Sequence, residues 1–447
     1  MFHSGGKTSG EVAAPPRQSQ GNRQGSPLAP SHAQLSSSVS LVLSCGPEWC
    51  GAEWGVERSN GVRTMRVMQW IRWGVGLTAA LLFAQAPAVA QSTGWDEALT
   101  AFADQLADDV VGDDVGGIAA GVMVDGDLVW ARAFGWADRG ARIPMSTSAI
   151  SRTGSISKSV TAILMMRLVD QGIIGLDEPV SRYLPAVEGF ADPRPNAVAI
   201  TFRHLASHTA GLMREPQWPE SVVGPIELWE KRILESIPLT AYDSVPGARY
   251  QYSNIGFGTL GLALSRAAGR PFIDLVESEV FEPLGMTGSA FIVVGTELES
   301  RLAAGYAVRR DGSINAEQPA REHAGRGYKV PNGGVYATVA DLGRFLGAMS
   351  GVPGLRILSE ESRLEALDVQ TPEDPNQGYG LGFSIRIDDR NRKIASHGGS
   401  VAGYNAHMAV DPDARIGVVL LRNYSGGSTN LGRAAQGLVA ELRELRR

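Results

Sequence analysis

The chain has 447 residues, 43% of them hydrophobic and 20% charged, with a formal net charge of −6; this is ordinary globular composition, long enough for one large domain or two of average size. The acidic balance argues against a protein that tracks a phosphate backbone, because the five lysines and thirty-six arginines are scattered and form no run longer than two. The 54 glycines and 24 prolines imply many turns and exclude a collagen-like or low-complexity body.

Residues 1–64 are rich in Gly, Ser, Pro and Gln and lack a sustained apolar period, which marks a disordered extension or translation from an upstream start. At Met65 the character changes. A basic start (Arg66, Arg72), an apolar stretch from Trp73 to Ala84 and the ending Ala88-Val89-Ala90 before Gln91 make residues 65–90 a secretory signal peptide. The alternative is a retained membrane anchor; the apolar run is shorter than the roughly 20 residues a membrane span needs, which favours cleavage, and no stable span is expected after it. Both cysteines, Cys45 and Cys50, precede the cleavage point. A cysteine-free domain over 91–447 fits an enzyme exported to a bacterial periplasm, whose core holds without disulfides.

Trp95, Leu99, Phe102 and Leu106 recur at spacings of three and four, which predicts an amphipathic helix over 95–110. Residues 118–136 contain two β-rich runs joined at Asp125-Gly126, the sequence of a tight hairpin. The last third repeats the pattern with strands expected at 383–387, 393–396, 405–410 and 416–421, then a helix carrying Leu431, Ala435, Leu438, Leu442 and Leu445. Early and late strands therefore flank a helical, loop-rich middle. The layout predicts an α+β fold: one antiparallel sheet built from both ends of the chain and flanked by helices, with a mainly helical subdomain inserted and a site at the seam.

Ser155-Ile156-Ser157-Lys158 opens an apolar helix expected to run to about Gln171. At a helix start the free N–H groups favour developing negative charge, and positions i and i+3 share a face, so the Ser155 hydroxyl can meet the Lys158 amine. A lysine takes a serine proton only when burial or neighbouring charge lowers its pKa. Ser157 is the weaker nucleophile candidate, since adjacent side chains on a helix point apart. Tyr252-Ser253-Asn254 follows the Pro246-Gly247 turn and is expected on an exposed, extended junction from which Tyr252 and Asn254 project the same way. Tyr252 can shuttle a proton, and Asn254 can hold a substrate carbonyl. His397-Gly398-Gly399-Ser400 is expected at the end of the 393–396 strand, where paired glycines admit a close substrate backbone and a free N–H can meet an oxyanion.

These three motifs in this order, S-x-x-K, Y-x-N and H-x-G, resemble the serine β-lactamase-like family of class C β-lactamases, D-alanyl-D-alanine carboxypeptidases, D-aminopeptidases and related esterases. Leu205–Leu212 (LASHTAGL), Pro246–Gly256 (PGARYQYSNIG), Asn332–Phe345 (NGGVYATVADLGRF) and Tyr379–Phe383 (YGLGF) are similar to that family as well, so the resemblance covers the chain from about residue 97 to its end. It implies the β-lactamase/transpeptidase-like fold, an acylated Ser155, Lys158 and Tyr252 as general base and acid, and Asn254 against the substrate's acyl-side amide. It further implies His397 and Gly399 lining the pocket, and an oxyanion hole made by the backbone N–H groups of Ser155 and Ser400. The implied partner is a small-molecule or short-peptide substrate, with no cofactor; the oligomeric state is left open. Where the β-lactamase form of the third motif has a lysine and a threonine, this chain has His397 and Gly398, which supply neither a permanent charge nor a hydroxyl. That departure is more similar to peptidases and esterases than to efficient penicillin hydrolases.

Three other readings compete. His204 and His208 at i, i+4 lack the glutamate that a zinc hydrolase helix needs, and no metal is expected. HGGSVAG imitates an α/β-hydrolase elbow at Ser400, but that fold needs an acid and then a histidine after its serine, and only His407 follows. A catalytically silent relative that binds a peptide or acts as a scaffold is the remaining alternative.

Overall fold

A computed structural model of the protein describes residues 93–191 and 198–446; the expected extension over 1–64 and signal peptide over 65–90 lie outside the described residues. The strands of the principal sheet are β1 (Gly117–Val124), β2 (Asp127–Asp138), β3 (Ile143–Pro144), β4 (Gln377–Tyr379), β5 (Ser384–Ile387), β6 (Lys393–Val401), β7 (Tyr404–Asp411) and β8 (Ile416–Arg422). Their order is β3-β2-β1-β8-β7-β6-β5-β4, antiparallel throughout. The N-terminal hairpin thus joins the C-terminal meander through the β1 and β8 pairing, from Ile118 opposite Arg422 to Val124 opposite Ile416.

The turn between β1 and β2 shows how local sequence sets register. Asp125 and Gly126 take φ of 49° and 94°, the positive values at both central positions that a type I′ hairpin turn requires.

β1 and β8 are buried along their whole length because both faces of the sheet are covered. Successive strand residues point to opposite sides. Ile118, Ala120 and Val122 join Val418 and Leu420 under α1 (Thr93–Asp113) and α5 (Leu431–Leu445). Ala119 and Met123 join Val419, Leu421 and Met408 in the larger core on the other side, with Val339, Leu342 and Leu346 of α4 (Val339–Met349). The inserted region contributes α2 (Ser157–Asp170) and α3 (Asn254–Ala268) to that same core, and α2 is buried on nearly every side. A helix apolar all round belongs in an interior, and α2 fills the seam between sheet and inserted helices.

The structure corrects three sequence expectations. Ser155 does not sit in the α-helix: it occupies a 3₁₀ turn, Gly154–Ile156, ahead of α2. Ser253 keeps the expected extended backbone, but it and Asn254 are buried and Asn254 already begins α3, so the junction is covered and not exposed. The His397–Ser400 motif lies inside β6, which runs on to Val401. The glycine pair did not end the strand, because β7 pairs with β6 through Val401.

Candidate active site

The site is assembled from a turn, a helix start and a strand. Thr153 anchors the turn through its N–H and hydroxyl, which donate to the Val335 carbonyl at 3.0 and 2.9 Å. Ser157 Oγ donates to the Gly154 carbonyl at 2.7 Å and accepts from the Val335 N–H at 3.0 Å, so its hydroxyl is consumed in holding the turn. Ser155 keeps its hydroxyl toward the cleft.

Lys158, one turn on, is fully buried. Its Nζ donates to Ser155 Oγ at 3.1 Å and to the Asn332 carbonyl at 3.1 Å, and lies 4.8 Å from the centre of the Tyr252 ring. No carboxylate pairs with it among the described residues. Burial pushes its pKa well below the ordinary lysine value, the cations of Lys329, Arg214 and Arg326 push the same way, and Glu215 opposes them. A buried ammonium without a counter-ion gives up its proton instead of paying the solvation penalty, and a neutral amine has a lone pair with which to take one from Ser155.

Tyr252 stands over the same atoms. Burial raises its pKa, while a hydrogen bond with Ser155 and the charge of Arg214 pull it down. His208 stacks beneath it, with ring centres 4.1 Å apart. His208 Nδ1 accepts from the Ser253 N–H at 3.0 Å, which leaves the ring proton on Nε2, where it finds no partner among the described residues. His204 faces elsewhere: its Nδ1 accepts from the Thr201 N–H and completes a cap on the Phe202–Ala206 helix. The two histidines do not converge, and among the described residues no group of three or more His, Cys, Asp and Glu is placed to hold a metal ion.

Asn254 reaches the site already committed on one side. Its Nδ2 donates to Glu215 Oε1 at 2.6 Å, and Glu215 also receives Lys329 Nζ at 2.8 Å and the Tyr328 hydroxyl. One Nδ2 hydrogen of Asn254 is thus committed to Glu215, which leaves the other and Oδ1 for a further partner. The N–H of Asn254 donates to the Arg214 carbonyl at 2.9 Å, and Ser253 Oγ donates to the Met213 carbonyl at 2.8 Å. These bonds fasten residues 213–215 beside the helix start.

β6 supplies the opposite wall. β5 pairs with it only as far as Ser396 opposite Ser384, whereas β7 pairs on to Val401. From His397 onward one edge of β6 is therefore uncovered by β5, and that stretch lies against the Ser155 turn. The approach is close enough to demand glycine. A Cβ on Gly399 would stand 1.8 Å from the Thr153 carbonyl oxygen and 3.0 Å from the Ser155 nitrogen; one on Gly154, whose φ is +54°, would stand 2.8 Å from the Ser400 nitrogen. The Ser400 backbone nitrogen is thereby brought close to the turn that carries Ser155.

His397 is buried and fixed at both ring nitrogens. Nδ1 lies 2.7 Å from the Gly398 carbonyl, which can only accept, so Nδ1 carries the proton and Nε2 accepts from the Tyr379 hydroxyl at 2.8 Å. Burial, reinforced by Lys158, pushes its pKa down to about 3; at neutral pH it is an uncharged donor.

Ser155, Tyr252, His397, Gly399 and Ser400 line one open cleft of about 720 Å³, with Arg214 on its wall. A neighbouring groove of about 550 Å³ shares Tyr250, Tyr379 and Ser384 with it and continues past Glu373 and Arg386. Arg214, Glu215, Lys329, His208 and Tyr379 were not singled out as site residues from the sequence. One signal was available for Lys329: lysine takes only five of forty-one basic positions, and a lysine shifts its pKa readily when buried.

Comparison with known proteins shows the family and the fold. A family model described as Beta-lactamase matches residues 102–441. The D-alanyl-D-alanine-carboxypeptidase/endopeptidase AmpH of Escherichia coli is 26% identical over 339 residues, covering 72% of this chain and 83% of its own. Esterase EstB of Burkholderia gladioli is 29% identical over 355 residues, covering 70% of this chain and 87% of its own. Among solved structures, the octameric penicillin-binding protein homologue from Pyrococcus abyssi superposes with a TM-score of 0.67 at 26% identity, covering 77% of each chain. The fold is of the β-lactamase/transpeptidase-like kind, with its large antiparallel sheet open at both edges.

Proposed function

The chain belongs to the beta-lactamase family, whose relatives here include a carboxypeptidase and an esterase, and from that premise we propose that it is a serine hydrolase working through an acyl-enzyme. Its substrate is an ester or amide, of the D-amino-acid peptide or small-ester class, and penicillin is at best a poor one. The observation that carries this reading is Lys158: a buried amine with no counter-ion, held 3.1 Å from the Ser155 hydroxyl.

In the proposed reaction Ser155 Oγ attacks the carbonyl carbon as its proton passes to Lys158 Nζ. The oxygen that gains charge meets the N–H groups of Ser155 and Ser400, the kind of donor whose loss elsewhere costs about 3–4 kcal/mol of transition-state stabilisation. The Tyr252 hydroxyl delivers a proton to the departing oxygen or nitrogen and is recharged through Lys158. Water then retraces the path and frees Ser155. Asn254, with Nδ2 tied to Glu215, offers Oδ1 to the acyl-side N–H of a peptide substrate. His397 lines the pocket without charge, so a penicillin carboxylate finds no cation there. Residues 65–90 would direct the chain to the periplasm and be removed.

Intact-mass spectrometry of protein recovered from its host, wild type and Ser155→Ala, tests this after incubation with a fluorophosphonate and, separately, a penicillin. The expected result is one fluorophosphonate adduct that disappears in Ser155→Ala, on a chain beginning at Gln91. An unmodified but folded wild type would return the chain to the silent binding or scaffold reading.

A further inference from the structure

The cations around the site are almost all spoken for. Lys329 is paired with Glu215 at 2.8 Å, Arg326 with Glu322 at 2.8 Å, and Arg422, on the far wall, with Asp109 at 3.4 Å. Arg214 is different. Its guanidinium lies 4.8 Å from the centre of the Tyr252 ring, on the wall of the cleft that holds Ser155, and its side chain is solvent-exposed. Among the described residues it has no ion pair or side-chain hydrogen bond. Glu215, its sequence neighbour, is saturated by Asn254, Tyr328 and Lys329.

Stacking on an aromatic ring uses the face of a guanidinium and leaves its N–H edges, arranged as a fork that matches a carboxylate. The backbone beneath is fixed, because the carbonyls of Met213 and Arg214 receive Ser253 Oγ and the Asn254 N–H. An unpaired arginine held this way in a reaction cleft is a preorganised anion receptor, and no other unpaired permanent cation lines this cleft among the described residues.

We infer that Arg214 is a specificity-determining residue that receives a carboxylate of the substrate, on the Tyr252 wall of the cleft and not on the β6 wall where His397 stands. The inference rests on the hydrolase reading and adds the substrate class: esters or amides with an anionic group within a side chain's reach of the scissile carbonyl. The carboxylate can belong to the acyl part or to the leaving group, and two probes separate these.

The test compares kcat/KM of wild type, Arg214→Gln and Arg214→Lys on p-nitrophenyl acetate, the neutral reference, on mono-p-nitrophenyl succinate, anionic on the acyl side, and on 4-acetoxybenzoate against its methyl ester, anionic on the leaving side. Wild type is expected to prefer at least one anionic ester over its neutral partner. In Arg214→Gln that ratio falls by about tenfold or more, mainly through KM; Arg214→Lys restores part of it, and added salt erodes it in the wild type. Equal losses on neutral and anionic esters, or no anionic preference in the wild type, overturn the inference. Should wild type hydrolyse none of them, the hydrolase reading fails separately, and NMR titration of the same proteins with benzoate and benzamide still decides. Benzoate binding lost in Arg214→Gln upholds the receptor, and equal binding by both proteins removes it.

Discussion

Ser155 and Lys158 were legible in the sequence because one helical turn brings i and i+3 together whatever the rest of the fold does. What the spacing did not carry is the environment that lowers the pKa of Lys158, since the cations around it come from segments more than fifty residues away. This gives a pH dependence with a definite sign. A base must be unprotonated to act, so kcat/KM on a neutral ester rises with pH through the pKa of Lys158, which lies well below the ordinary lysine value of about 10.4. A profile that reaches its plateau below the ordinary lysine range is expected, with a drop of about a thousandfold in Lys158→Met. Activity that climbs only in the ordinary lysine range would mean that Lys158 stays charged and another group is the base. Arg214, Glu215 and Lys329 could not be assembled in advance, because loop residues meet without periodicity or motif.

At the scale of elements, the β1–β2 hairpin was readable from Asp125-Gly126, and the strand runs from their alternation and turns. Glycine misled in β6: Gly398-Gly399 reads as a strand end, yet the pair allows a close approach within a regular strand. The consequence is sharp at Gly399. Gly399→Ala places a methyl group 1.8 Å from the Thr153 carbonyl oxygen, so β6 must leave the Ser155 turn. The expected result is a loss of about 1–3 kcal/mol of stability in denaturant unfolding, together with a fall in kcat on a neutral ester of about a hundredfold or more as the Ser400 nitrogen moves away. Full activity in a folded Gly399→Ala protein would show that β6 takes no part in catalysis.

Across the whole molecule, early and late strands suggested one sheet made by both ends of the chain; their register and order were not readable, because pairing partners nearly three hundred residues apart leave no local trace. The closure has a polar lock. Asp109 of α1 accepts from the Thr429 N–H at 2.8 Å, from Ser428 Oγ and, at 3.4 Å, from Arg422, whose side chain is almost completely buried. Burial pushes the Asp109 carboxyl up, but these partners outweigh it and hold the pKa below its ordinary value. A depressed carboxylate contributes stability that is present above its unfolded pKa and is lost as pH falls through the folded one. Asp109→Asn is expected to cost about 3 kcal/mol at neutral pH, since a charge left buried without its partner is expensive, and to flatten the acid limb of the stability profile. Urea unfolding across pH measures both; a variant as stable as wild type at neutral pH would show that the lock contributes nothing.

That β1 pairs with β8 also dictates an order of events during synthesis. The chain passes residue 124 with the central edge of its first hairpin bare, and the strand that covers it begins only at residue 416, on the order of tens of seconds later at ribosomal rates. For all but the first part of that interval Ser155 has been made, while the strand that carries Ser400 is either unmade or not yet joined to β1 through β8. A nascent or truncated chain therefore holds the Ser155 turn beside an unfinished sheet, and under the hydrolase proposal it would gain activity only with the last strand.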